Sequence, residues 1–182
     1  EGERWLGTMA GLRPVKNLPR LVRAFAAMPE EWQLVILGEG PDREAIRSEA
    51  ARLEISHRVH LPGFVPDPAH VTSLFDLFAL SSDSEQFPLS VVEAMATGLT
   101  VVSTDVDNVA DMVTPDNRPF IVDRANEAAL ADALVTLAAN PGLCKAIGTA
   151  NRTRARTLFD ERAMISSYRQ TYAEALGQAK FA

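Results

Sequence analysis

Short apolar runs alternate with amphipathic stretches along this chain. WQLVIL at 32–37 is an unbroken apolar run of strand length, closed by Gly38-Glu39-Gly40. DLFALS at 76–81, TVVS at 100–103 and PFIV at 119–122 have the same character, and WLGTMAG near the start and RVHLPG at 58–63 read as further strands. Runs of this kind suit strands buried on both faces of a parallel sheet. Between them, apolar residues recur at helical spacing. Leu18, Leu21, Val22, Phe25 and Ala26 predict a helix over 18–28, stopped by Pro29. Ala45, Ile46, Ala50 and Leu53 predict one over 42–54, and a short one is expected over 67–74. PLSVVEAMATG predicts a helix with Pro88 near its first turn and Gly98 as its C-terminal cap. From Asn126 to about Gln178 the pattern is helical, with breaks at Asn140-Pro141-Gly142 and Phe159-Asp160.

Strands alternating with helices predict an α/β fold: a Rossmann-like three-layer sandwich with a mostly parallel sheet of about six strands, followed by C-terminal helices. The length of 182 residues fits one domain, 1–182. In such sheets ligands sit beyond the C-terminal strand ends. The loops to watch are therefore 11–17, 38–41, 62–65, 81–90 and 104–109.

Composition narrows the classes. The net charge of -6 argues against nucleic acid as a partner, because a polyanion needs a concentrated basic surface. Arg152, Arg154 and Arg156 form the nearest thing to one. They read as a solvated helix face, with contact to anionic lipid or a partner domain as the alternative. The single Cys144 excludes an internal disulfide framework and points to a reducing compartment, hence the cytoplasm or the inner face of a membrane. No apolar run approaches the ~20 residues of a membrane span. The first residues lack the features of a signal peptide and an initiating Met, as expected of a piece cut from a longer chain.

The richest local feature is the stretch from Ser84 to Gly98. Glu93 is the only charged residue between Glu85 and Asp105, and it falls about a turn and a half into a helix between two apolar strands. A carboxylate beside a core needs partners. A ribose diol would supply two hydroxyl donors, Glu85 in the preceding loop would face a group further along the ligand, and the helix N-terminal amides between them would face a diphosphate. That order matches ribose, phosphates and sugar. Ser90, Glu93 and Thr97 also fit an ordinary polar stripe on an amphipathic helix, and spacing alone does not separate the two.

Glu85 and Glu93 are separated by seven residues, in a stretch that resembles the E-x7-E region of family 4 retaining glycosyltransferases of the GT-B fold. GTMAGLRPVKNLPRLVRAFAAM resembles that family's first strand, lysine loop and helix. LVILGEGPDREAI, RVHLPGFVPD and DLFALSSDSEQFPLSVVEAMATGLTVVSTDV follow in the family's order. The likeness covers nearly the whole chain and corresponds to the family's C-terminal, donor-binding domain. An N-terminal acceptor domain would then be the missing partner, and this fragment alone would be inactive.

The resemblance implies roles. Glu93 would bind the ribose hydroxyls, Glu85 the donor sugar and Lys16 the diphosphate. Backbone amides around Phe87, Pro88, Leu89 and Ser90 would hold phosphates or sugar, and the loop at Gly63 and Phe64 would lie near the base. The donor would be a nucleotide diphospho-sugar such as a UDP- or GDP-sugar, with no metal and no separate cofactor; cations and helix amides would offset the charge on the leaving diphosphate. Three departures stand out. The family's usual arginine after the first strand is Gly11 here, and Arg13, two places later, should point elsewhere unless the loop differs. Its usual proline after the EAMA-x-G segment is Thr100. Its glycines after the fifth strand are Asp107 and Asn108, and a carboxylate there near a diphosphate is unfavourable unless it points away or the loop sits differently. A non-catalytic nucleotide-binding or interaction module is the alternative reading.

Other signals are weaker. Asp105-Val106-Asp107 has the look of a metal-binding pair but reads more simply as a polar turn. Gly38-Glu39-Gly40 lacks the third glycine of a dinucleotide fingerprint, Arg43 standing in its place. His57, His60 and His70 lack a helical ligand spacing, so no metal site is expected from them. Trp5 and Trp32 are expected in the core.

Overall fold

The computed structural model describes residues 2–177. Six parallel strands form one sheet in the order β3-β2-β1-β4-β5-β6. They are β1 Arg4–Met9, β2 Trp32–Leu37, β3 Val59–Gly63, β4 Leu77–Leu80, β5 Val101–Thr104 and β6 Ile121–Val122. The helices are α1 Leu18–Phe25, α2 Arg43–Arg52, α3 Pro68–Thr72, α4 Leu89–Thr97, α5 Val109–Met112, α6 Glu127–Ala138, α7 Pro141–Leu158 and α8 Glu161–Ala175. Every expected strand and helix is present within a few residues. Short 3-10 turns at 14–16, 56–58 and 115–120, and α5 itself, were not legible in the apolar pattern. The expected helical end at Gln178 lies outside the described residues.

Successive strand residues point to opposite faces, so each apolar run feeds two cores. Leu34, Ile36, Leu77, Ala79 and Val102 pack with Leu21, Val22 and Phe25 of α1, Ile46 of α2, and Leu130, Leu134 and Leu137 of α6. Val35, Leu37, Phe78, Leu80 and Val101 pack on the other side with Val91, Ala94 and Met95 of α4 and Val109 and Met112 of α5. This is why the strands read as unbroken apolar runs. Trp32 is buried as expected. Trp5 is only half-buried, because α3 is one turn long and leaves an open groove over the β1–β3 face, lined by Trp5, Val35 and Val71.

The chain leaves the centre at β1, runs outward to β3, and crosses back through α3 to β4 on the other side of β1. The reversal separates the C-terminal ends of β1 and β4, and a crevice at such a point is the default ligand site of a doubly wound sheet.

Arg58 anchors the outer edge. Its side chain is 2% exposed, lies over the Phe25 ring, and donates to the carbonyls of Trp32, Met28 and Pro29. Arg154 of α7 donates to the carbonyls of Met112 and Asp111, so it belongs to the fold. Only Arg152 and Arg156 of the expected basic trio remain exposed.

Cys144 sits in the first turn of α7, and burial pushes its thiol up to about 11. A thiol is a poor nucleophile until it ionises. Iodoacetamide at pH 8 is expected to leave the native protein unmodified while labelling the urea-unfolded chain completely. Labelling of both at equal rates would contradict the burial.

Candidate functional site

The crevice is built by welding two loops together. After β1 the chain runs through Gly11 and a 3-10 turn, Pro14–Lys16, to Asn17, which adopts a left-handed conformation at φ 43°. A Cβ on Gly38 would run into the Ala10 carbonyl oxygen, so the β2–α2 turn packs close only because glycine stands there. Asn17 donates to Asp83 at 3.1 Å, and Arg20 donates to both Asp83 and the Ser81 carbonyl. Ser81 Oγ donates to the carbonyls of Lys16 and Asn17, and the Asp83 amide donates to the Val15 carbonyl. Lys16 is thereby fixed against the β4–α4 loop before any ligand arrives.

Lys16 Nζ donates to Glu85 Oε1 at 2.6 Å, and Ser82 Oγ donates to the same oxygen at 2.6 Å. The two charged side chains are 21% and 10% exposed, so the pair is partly shielded from water yet still reachable. Arg13, Lys16, Glu85 and Phe87 line one open cleft of about 370 Å³ together with Val15, Ser84 and Gln86. Gly11 and Phe64 line a second of about 460 Å³ with Met9, Gly38, Glu39 and Val65. Both volumes lie in the ~300–1,000 Å³ range of small-molecule sites. Gly63, at φ 93°, sits beside Glu39 at the rim of the second.

Arg13 does not point away. Its Nε lies 3.3 Å from where a Cβ on Gly11 would stand, and its amide donates to the Gly11 carbonyl at 2.8 Å. The guanidinium thus folds back over Gly11.

The start of α4 closes the crevice. Pro88 is its buried N-cap and supplies no side-chain acceptor, and the first turn holds no acidic residue. An uncapped helix start presents free amides and a positive dipole end to an anion. Leu89 is exposed and Ser90 half-buried. Phe87 packs edge-on against Phe159 at 5.9 Å, which ties the loop to the end of α7.

Glu93 departs from expectation. The sequence places it beside the core and in need of partners, but it is exposed and has no hydrogen bond or ion pair among the described residues. Partial desolvation raises its carboxyl pKa without any compensating contact. Asp107 does not point away either. It takes a left-handed φ of 49°, and its Oδ2 accepts from the Glu85 amide at 2.7 Å. Among the described residues no group of three His, Cys, Asp or Glu side chains could hold a metal ion.

The model of the family described as "Glycosyl transferases group 1" matches residues 1–154. The chain belongs to the group 1 glycosyl transferase family. This group 1 domain is 26% identical over 182 residues to the N-acetyl-alpha-D-glucosaminyl L-malate synthase of Bacillus anthracis, which covers 99% of the chain and 48% of that relative. The chain thus spans about half the length of the curated relatives it matches. Its fold is that of the C-terminal domain of a group 1 glycosyl transferase from Francisella tularensis (20% identity, TM-score 0.78, 88% of each chain). It also matches the Anabaena protein HepE, solved in complex with UDP and glucose (23% identity, TM-score 0.85, 97% of this chain and 48% of that one). The group 1 domain therefore has the Rossmann-like architecture of GT-B glycosyltransferases, as its sequence implied.

Sequence reasoning picked out Lys16, Glu85, Arg13 and Phe87, and the structure brings them to one cleft. It missed Asn17, Arg20, Ser82 and Asp83 as the side chains that hold that cleft together. Their partners are more than sixty residues away in sequence or hidden in a loop without periodicity, so no local signal marks them.

Proposed function

We propose that this chain is the donor half of a glycosyltransferase: it binds a nucleotide diphospho-sugar at the β1–β4 crevice and presents it to an acceptor held by an N-terminal half. The observation that carries the reading is the Lys16–Glu85 pair, 2.6 Å apart beside the uncapped start of α4. An ammonium, free helix amides and a nearby guanidinium suit a diphosphate, and a carboxylate beside them suits sugar hydroxyls. No metal is needed in this scheme, because Lys16, Arg13 and the α4 amides offset the charge on the leaving diphosphate. The transfer retains anomeric configuration in this reading, and the base lies along Gly63 and Phe64. A reducing, cytoplasmic setting suits the lone, half-buried Cys144.

The second half is supported by α8. Met164, Ile165, Tyr168 and Leu176 are exposed, while the helix buries only Ala173. Apolar side chains at that spacing form one stripe, and such a stripe suits a partner surface.

Calorimetric titration with UDP-glucose, UDP-N-acetylglucosamine, GDP-mannose and ADP-glucose tests the binding step. Failure of all four to bind at millimolar concentration would remove the reading and leave the interaction module in its place. Glu93→Ala is expected to weaken the bound nucleotide roughly 10- to 100-fold, as loss of hydrogen bonds to a charged acceptor does. Thermal stability should not fall. A carboxyl whose folded pKa is raised contributes stability only at acid pH and opposes folding at neutral pH, so its removal is neutral or favourable there. Unchanged affinity would end the ribose role.

A further inference from the structure

The β4–α4 loop is fastened residue by residue, and each fastening has its own partner. Thr104 Oγ1 donates to the Ser82 carbonyl at 2.7 Å. Asp83 takes Asn17 and Arg20 on its side chain and Arg124 on its carbonyl. The Glu85 side chain takes Lys16 and Ser82. The Glu85 backbone amide has one acceptor, Asp107 Oδ2 at 2.7 Å, reaching across from the β5–α5 loop 22 residues away in sequence.

Two further features single out this contact. Asp107 holds a left-handed φ of 49°, a region where glycine is at ease and where aspartate and asparagine are among the few side chains tolerated. The residue before it, Val106, is buried in the core beneath α4 and α5, so the loop that carries the carboxylate has a fixed root. The hydrogen bond is charge-assisted and short, as carboxylate-to-amide bonds of the stronger kind are.

We propose that Asp107 is a positioning residue: its carboxylate holds the Glu85 amide and so sets where the Glu85 side chain, with Lys16 attached, stands before the sugar of the donor. The inference rests on the donor-binding reading above and adds to it a residue that touches neither substrate nor reacting atoms. Released from Asp107, the Glu85 backbone turns more freely, and the contact with the sugar weakens while the diphosphate contacts of Lys16 and α4 persist.

The test compares two affinities in one protein. Wild type, Asp107→Gly and Asp107→Asn are titrated with UDP-glucose and with UDP, or with GDP-mannose and GDP if that donor binds more tightly. Asp107→Gly suits the left-handed backbone and deletes only the acceptor; Asp107→Asn keeps an acceptor oxygen and removes the charge. Asp107→Gly is expected to shift the ratio of nucleotide-sugar to nucleotide affinity about tenfold against the sugar, with nucleotide affinity within about twofold of wild type. Asp107→Asn is expected to keep the wild-type ratio. An unchanged ratio in Asp107→Gly, a parallel fall in both affinities, or a parallel rise would overturn the inference while leaving donor binding intact. A parallel fall marks a merely structural role, and a parallel rise marks Asp107 as an internal competitor for the site. If wild type binds none of the four ligands, the donor-binding reading itself is lost, and this inference with it.

Discussion

Lys16→Ala is expected to weaken nucleoside diphosphate binding roughly 100-fold. The magnitude is that of a charge-assisted hydrogen bond to a doubly charged oxygen cluster, with an added penalty from what remains. Removing the ammonium leaves the Glu85 carboxylate, 10% exposed, with Ser82 alone as its donor. That bare carboxylate then repels the phosphates that Lys16 attracted. The same pair yields a prediction of opposite sign. In the free protein Glu85 occupies Lys16, so an incoming diphosphate competes with it. Glu85→Ala frees the ammonium and is expected to tighten UDP several-fold while erasing the preference that the sugar confers. Titrating UDP and UDP-glucose into both variants at 50 and 300 mM NaCl separates these effects, because the Lys16 contribution is screened by salt. Equal UDP affinity in Lys16→Ala and wild type would show that the diphosphate does not sit beside this side chain.

The central strands β2, β4 and β5 were legible because a strand buried on both faces is apolar at nearly every position, and such runs stand out in any sequence. The helices of the C-terminal third were legible through Asn140-Pro141 and Asp160, which cap and break them. Residue type and order along the chain singled out Lys16 and Glu85, which the structure brings together in one cleft. What stayed hidden depends on pairing through space. The expectation that Arg13 points elsewhere rested on its offset of two residues; the tight turn at Gly11 brings the guanidinium back. The expectation that Glu93 needs partners rested on its apolar neighbours in sequence; the helix turns its carboxylate outward. The clash expected at Asp107 considered a diphosphate and not the free amide of Glu85. In each case a loop or helix rotation, invisible in the linear pattern, decided the outcome.

The same holds for the polar cluster that fastens α7 to the sheet, where the largest loss of stability is expected. Asn151 and Asn117 are fully buried. Asn151 Oδ1 accepts from the Thr114 amide and hydroxyl, and its Nδ2 donates to the Leu99 carbonyl and to Asn117 Oδ1 at 2.7 Å. Asn117 in turn exchanges hydrogen bonds with both the amide and carbonyl of Val101 in β5. It therefore completes the backbone pairing at the N-terminal end of β5, opposite the end from which the Asp107 loop departs. Every amide group of the two side chains is used, which is the condition under which a buried polar network stabilises. Asn151→Ala strands the Leu99 carbonyl and the Thr114 amide away from water and leaves a cavity, a combined cost of about 3–5 kcal/mol. For a chain of this size that corresponds to a fall in Tm of about 10 °C. Asn117→Ala should cost a similar amount, and the double variant clearly less than the two together, because both single variants dismantle one network. Urea unfolding of the four proteins measures the coupling. Strict additivity would mean that the two asparagines act separately and do not form one network.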